Sequence, residues 1–179
     1  KAAAELKERV HRTVTAKLPG IVGLAEMYIG TMHGFCLDLL QTYIPETFKY
    51  GVLTDITQQL LIDRETNKSG FNTAVKTVQG VESSLRRYTD TRVFKGALSI
   101  LQEDAVDFGL VPPETTASLA KYKDFLADKR YFDYTSMMVE AVGFLERSQT
   151  ATILDTAEQS LRDHVENDVK YVIVDEYQD

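Results

Sequence analysis

The chain of 179 residues contains a single cysteine, Cys36, so no disulfide can form within it. A lone thiol suits a reducing, cytoplasmic setting, and Cys36 itself reads as a small buried apolar residue. No apolar run approaches the roughly 20 residues needed to cross a bilayer, and no signal-peptide pattern opens the chain, so a membrane is not an expected partner. There is no internal repeat and no low-complexity linker. What remains is ordinary soluble composition, 44% hydrophobic and 26% charged, in a length that suits one domain or one and a fraction.

The net charge of −7 argues against a surface that binds nucleic acid everywhere, but the charges are unevenly placed. Residues 1–20 carry Lys1, Lys7, Arg9, Arg12 and Lys17 against Glu5 and Glu8. The stretch RRYTDTRVFK holds Arg86, Arg87, Arg92 and Lys95 against Asp90 alone, whereas residues 151–179 set eight carboxylates against Arg162 and Lys170. Local basic patches are therefore compatible with an acidic protein.

Most of the sequence predicts helix. Leu6, Val10 and Val14 share one face of a first helix that Pro19 and Gly20 should end. Phe35, Leu39, Leu40 and Tyr43 mark a second, closed near Pro45. Asp55 and Gln58 have capping-box spacing ahead of Leu60, Leu61 and Ile62. The segment 67–92 is irregular. Phe94, Ala97, Leu98, Leu101, Ala105 and Phe108 then form an amphipathic helix that Gly109 should stop. Pro112 and Pro113 suit the entry of the next, with Leu119, Tyr122 and Leu126 inward. Met137, Met138, Ala141, Val142 and Leu145 define another, with the methionines as core. Ile153, Leu154, Ala157, Leu161 and Val165 define the last. His11 and His164 read as solvent-facing.

Two segments predict strands, near 27–31 and 170–175. YVIV is apolar on consecutive positions, as expected of a strand covered on both faces. Two strands around a long helical block fit a fragment of a parallel α/β sheet with a helical insertion. A chain that begins inside a helical pattern, without an initiator methionine, and ends on such a strand is expected to be a piece of a larger enzyme. In open α/β sheets ligands lie beyond the carboxyl ends of the strands, which would put Asp175 and Glu176 there. Asp175 could hold Mg²⁺ through the ion's hydration water, and Glu176 could polarise an attacking water. A bare hydrophobic-Asp-Glu string is also compatible with a simple polar turn.

The longer string VDEYQD (174–179) resembles motif II, the Walker B element, of UvrD/Rep/PcrA-type superfamily 1 DNA helicases. KAAAELKERV at residues 1–10 resembles the second half of their motif Ia. GTMHGFC (30–36) resembles their G-T-F-H-S element, with Met32 for phenylalanine and Gly34 for serine. YFDYTSMM (131–138) resembles the D-F-D-D-L-L stretch before motif II, with Tyr131 and Tyr134 replacing aspartates. These ordered elements span the chain end to end.

The resemblance implies a mainly α fold, a helical 1B-like insertion flanked by two short strands of a parallel RecA-like P-loop domain. Residues 1–45 would belong to motor domain 1A, 46–168 to the insertion, and 169–179 to the Walker B strand. It implies ATP and Mg²⁺ as cofactors of the parent protein, with Asp175 the metal ligand, Glu176 the catalytic carboxylate, and Gln178 and Asp179 coupling the nucleotide site to neighbouring motifs. Thr31 and His33 match positions near the single-stranded DNA track, where a hydroxyl and an imidazole need no particular sequence. Arg86, Arg87, Arg92 and Lys95, with Tyr88 and Phe94 interleaved, are the candidate phosphate-contacting surface of the insertion, against the plainer reading of a solvated basic face.

Single-stranded DNA and a duplex junction are the implied partners, together with repair or replication proteins. No glycine begins a G-x-x-x-x-G-K-[ST] pattern, so the segment alone is expected not to hydrolyse ATP. Two other readings fit in part: the motor of a helicase–nuclease, and a helical binding module whose DEYQD is only a carboxylate-rich tail.

Overall fold

Apolar periodicity and well-placed caps account for most of the helices. The computed structural model describes residues 2–24, 27–103 and 106–174, which form a mainly helical fold with a few short strands. In chain order the helices are α1 (Ala2–Lys17), α2 (Met32–Tyr43), α3 (Asp55–Arg64), α4 (Thr91–Glu103), α5 (Pro113–Lys129), α6 (Tyr134–Thr150) and α7 (Thr156–Asn167). Between them lie β1 (Gly51–Val52), β2 (Val75–Val78), β3 (Val81–Ser84) and β4 (Tyr131–Phe132).

Local chemistry sets the boundaries. Pro113 opens α5, where its missing N–H costs no helical hydrogen bond. Asp133 and Ser136 form a reciprocal capping box on α6, and Asp155 and Glu158 form another on α7. The cap of α3 is one residue earlier than the sequence spacing indicated. Thr54 has the extended backbone a cap needs, and its Oγ1 accepts the Thr57 N–H at 3.3 Å. Asp55 therefore falls in the first helical turn, and Gln58 turns into the core.

Three groups of side chains hold the helices together. Leu53, Ile62, Phe71, Phe94, Leu98, Leu119, Tyr122 and Leu126 fill the space among α3, α4 and α5. Leu40, Phe132, Met137 and Ala141 join α2 to α6, and Leu39, Phe144 and Leu161 join both to α7. Helix α6 thus contributes to two of these groups. Gly70, at φ +78°, lets the loop after α3 reach α5, where Ser118 Oγ donates to its carbonyl at 2.8 Å. A Cβ at this position would collide with the Ser118 backbone oxygen.

The strands are not where the apolar runs placed them. Residues 27–29 and 170–174 carry no strand, because neither segment has a ladder partner among the described residues. Tyr171 and Ile173 are 91% and 94% exposed, so their apolar character is not satisfied by packing here. The strands that do form are β1 with β4, parallel with Gly51 opposite Tyr131, and the antiparallel hairpin β2–β3. Gln79 and Gly80 both take positive φ at the hairpin tip, the backbone that a two-residue turn between twisted strands requires. Gln-Gly is a weaker hairpin signal than Asn-Gly, which is why 67–92 reads only as irregular.

Other sequence expectations also shift. Described helix α4 ends at Glu103, and Phe108 sits in a separate 3₁₀ turn, Phe108–Leu110, where it is half exposed instead of continuing the apolar stripe. Ala105 lies outside the described residues. Ile153 precedes α7 and is exposed.

Candidate nucleic-acid interface

The turn that opens α2 is built by Thr31, whose Oγ1 accepts the Gly34 N–H at 3.1 Å. Tyr28 folds back over this turn and donates its phenolic hydrogen to the Thr31 carbonyl at 3.0 Å. The same hydroxyl occupies the space beside Gly34, where a Cβ would lie only 2.8 Å from it. Glycine at 34 and tyrosine at 28 are therefore one arrangement: the phenol fills the volume that a serine side chain would need. Partial desolvation of its hydroxyl, and then the nearby Asp38 carboxylate, push Tyr28 above its ordinary pKa.

Aromatic rings border this turn. Phe35 meets Tyr28 edge-on at 5.4 Å, and on the other side the His33 ring lies 4.8 Å from that of Tyr134. Tyr28, Met32, Phe35 and Tyr134 are all exposed, Met32 at 67%. Methionine at 32 thus leaves an aromatic surface in place, supplied from 28 and 35. Sequence reasoning passed over Tyr28, Phe35 and Tyr134 as the exposed rings bordering this turn. The available signal was the coincidence of a tyrosine just before Gly30 with an unexpected glycine at 34.

The element at 131–138 meets the helical block at one buried carboxylate. Asp133 Oδ1 accepts the Ser136 N–H at 2.7 Å as the cap of α6. Its Oδ2 accepts from Tyr122 Oη at 2.6 Å and Gln58 Nε2 at 2.7 Å. Burial first, and then the Asp133 charge, raise the Tyr122 pKa, so the phenol stays a donor. This buried centre fixes the start of α6, whose first residue, Tyr134, lies beside His33.

The basic stretch separates into distinct roles. Lys95 is turned onto Asp55, pairing with its carboxylate and donating to its carbonyl at 3.2 Å, and its side chain is 11% exposed. Phe94 is buried in the core. Arg86, Arg87 and Arg92 are exposed. Their loop is held by two buried carboxylates. Asp63 Oδ1 accepts the Tyr88 N–H at 3.0 Å and the Thr91 hydroxyl. Asp90 Oδ2 accepts Lys76 Nζ at 2.7 Å and the Arg86 N–H at 2.6 Å. The Lys76 hydrogen bond, followed by that from the Arg86 N–H, holds the Asp90 carboxyl below its usual pKa.

Asp175, Glu176, Gln178 and Asp179 lie outside the described residues. The carboxylate of Asp175 suits Mg²⁺, which takes oxygen ligands and few protein carboxylates. Among the described residues no cluster of histidine, cysteine and carboxylates could hold a metal, and no helix is long and apolar enough to cross a membrane. His164 is exposed, as expected, and pairs with Asp168 at 2.9 Å at the end of α7, whereas His11 is half-buried with an unpartnered Nε2.

An exposed turn rimmed by rings and a rigid arginine-bearing loop on a helical scaffold are features of a nucleic-acid-binding domain. The chain belongs to the UvrD/REP helicase N-terminal domain family, whose model matches residues 1–179. No curated protein and no solved structure matches the chain in the corresponding comparisons.

Proposed function

We propose that the chain is a segment of an ATP-dependent DNA helicase that couples ATP hydrolysis to 3′–5′ translocation on a single strand and to duplex unwinding. The family match over the whole length carries this reading. Asp175 is the residue to hold Mg²⁺, and Glu176 the base that takes the proton of the attacking water. The bound ion would neutralise charge on the transferring phosphoryl group. Gln178 and Asp179 couple this site to neighbouring motifs. With no phosphate-binding loop pattern in its sequence, the segment by itself is inactive in hydrolysis.

Thr31 and His33 contact the single strand in this reading. Thr31 Oγ1 uses a lone pair on Gly34, which leaves its hydrogen available for a phosphate oxygen. Arg86, Arg87 and Arg92 contact duplex phosphates. Lys95 is committed to Asp55, and its contribution to that surface is correspondingly small.

The test is single-strand-stimulated ATPase activity of the intact protein and its Glu176→Gln variant. Stimulated hydrolysis that the substitution abolishes, with ATP binding retained, is the expected result. An intact protein that neither binds nor hydrolyses ATP would overturn the assignment.

A further inference from the structure

We infer that Tyr88 is a base-stacking wedge, presented by a rigid arginine-bearing loop to the exposed terminal base pair of a DNA duplex at a strand junction. The inference rests on the DNA-binding reading above and assigns a residue and a DNA feature that reading leaves open.

The backbone is the first observation. Tyr88 takes φ +65°, a left-handed conformation that side-chain-bearing residues avoid and that glycine or asparagine would adopt more readily. The loop imposes it. Asp63 fixes the Tyr88 N–H and the Thr91 hydroxyl, and Asp90 fixes Lys76 and the Arg86 N–H. The N–H groups of Thr89 and Asp90 both return to the Arg86 carbonyl, at 3.2 and 2.8 Å.

The ring is the second observation. A tyrosine held in a strained position contributes little to the core when it is 65% exposed. The Arg87 guanidinium lies 4.6 Å from the ring centroid, a cation–π contact that fixes the ring outside the fold. Arg87 sets positive charge on the ring, while Arg86 and Arg92 are exposed in the same stretch, Arg86 at 3.9 Å from the Asp90 carboxylate.

These features select the ligand. An aromatic face needs an uncovered base, and inside a continuous duplex every base face is covered by its neighbours. A groove that tracks a single strand uses successive rings, whereas the next aromatic along this chain, Phe94, is buried. One ring with one guanidinium against it and further exposed arginines in the same stretch matches one terminal base pair and the phosphates beside it.

The experiment uses the intact protein, a forked duplex with 2-aminopurine in its terminal pair, a single strand, and a continuous duplex with hairpin-closed ends. Wild type and Tyr88→Phe should quench the 2-aminopurine. Tyr88→Leu should abolish the quench and weaken fork binding about tenfold, with the closed duplex unaffected. An Arg86→Ala/Arg87→Ala/Arg92→Ala variant should weaken both duplexes. If Tyr88→Leu behaves as wild type on the fork while the arginine variant does not, the phosphate surface stands and the wedge is wrong. Equal losses on the single strand and the fork overturn the junction assignment. If the arginine variant also matches wild type on every DNA, the DNA reading of this loop fails. Absence of all DNA binding by the wild type overturns the underlying reading itself.

Discussion

Tyr122 donates its phenolic hydrogen to Asp133 Oδ2 at 2.6 Å, and Gln58 Nε2 reaches both oxygens at 2.7 Å. Three helices meet at this buried point, because the carboxylate is also the cap of α6. Tyr122→Phe removes two hydrogen bonds, the one it donates to Asp133 and the one it accepts from Gln58, and the expected cost is about 1–3 kcal/mol. Asp133→Ala removes the cap and strands two buried donors, and about 3 kcal/mol is expected. Urea denaturation measures both. The double variant should cost less than the sum, and strict additivity would show that the two groups do not act together.

The Asp90 carboxyl is held below its usual pKa by Lys76 and the Arg86 N–H. A depressed folded pKa contributes stability above the unfolded value of about 3.9 and loses it as pH falls through the folded value. The loop at 86–92 should therefore loosen below about pH 4, with faster amide exchange at Arg86, whose N–H the carboxylate accepts, and at Thr89 and Asp90, whose N–H groups return to the Arg86 carbonyl. Asp90→Asn should remove this acid dependence at near-neutral cost to the helices. An unchanged acid profile would separate Asp90 from the loop's order.

Serine at 34 would restore a side chain where Tyr28 now sits. Its Cβ would lie 2.8 Å from the phenolic oxygen, so Gly34→Ser should expel the ring from Thr31 and Phe35. The Tyr28 pKa should then fall back toward its ordinary value, since burial is the main cause of its rise. Tyrosine titration followed by NMR reads the change directly. A pKa left where it was would mean the turn accommodates both side chains.

Lys95 and Arg87 should respond differently in DNA binding. Arg87→Met is expected to lower the salt slope of duplex binding by about 1, because one phosphate contact is lost. Lys95→Met should leave the slope unchanged, since its ammonium faces Asp55. Equal slopes for the two variants would reject this separation.

Most of the helical faces, the proline stops and the family were legible in the chain alone; the Gly109 stop was not, because described α4 ends at Glu103 and Gly109 lies in a separate turn. These features are local, because a helix repeats every few residues and capping groups act within one turn. Motif order is likewise a property of the chain, and it needs no packing to be read. Tertiary structure decided which residues are available. Lys95 and Arg87 look alike in RRYTDTRVFK, yet only folding brings Asp55 to one of them. Tyr88 and Phe94 look alike too, and one is strained and exposed while the other is buried. Gln58 reads as a capping residue until Tyr122 and Asp133, 64 and 75 positions away, claim it. Strand formation was equally undecided, because a ladder needs a second segment: YVIV has none among the described residues, whereas Tyr131–Phe132 finds Gly51–Val52. Contacts between distant segments depend on where the helices pack, and no local pattern encodes that.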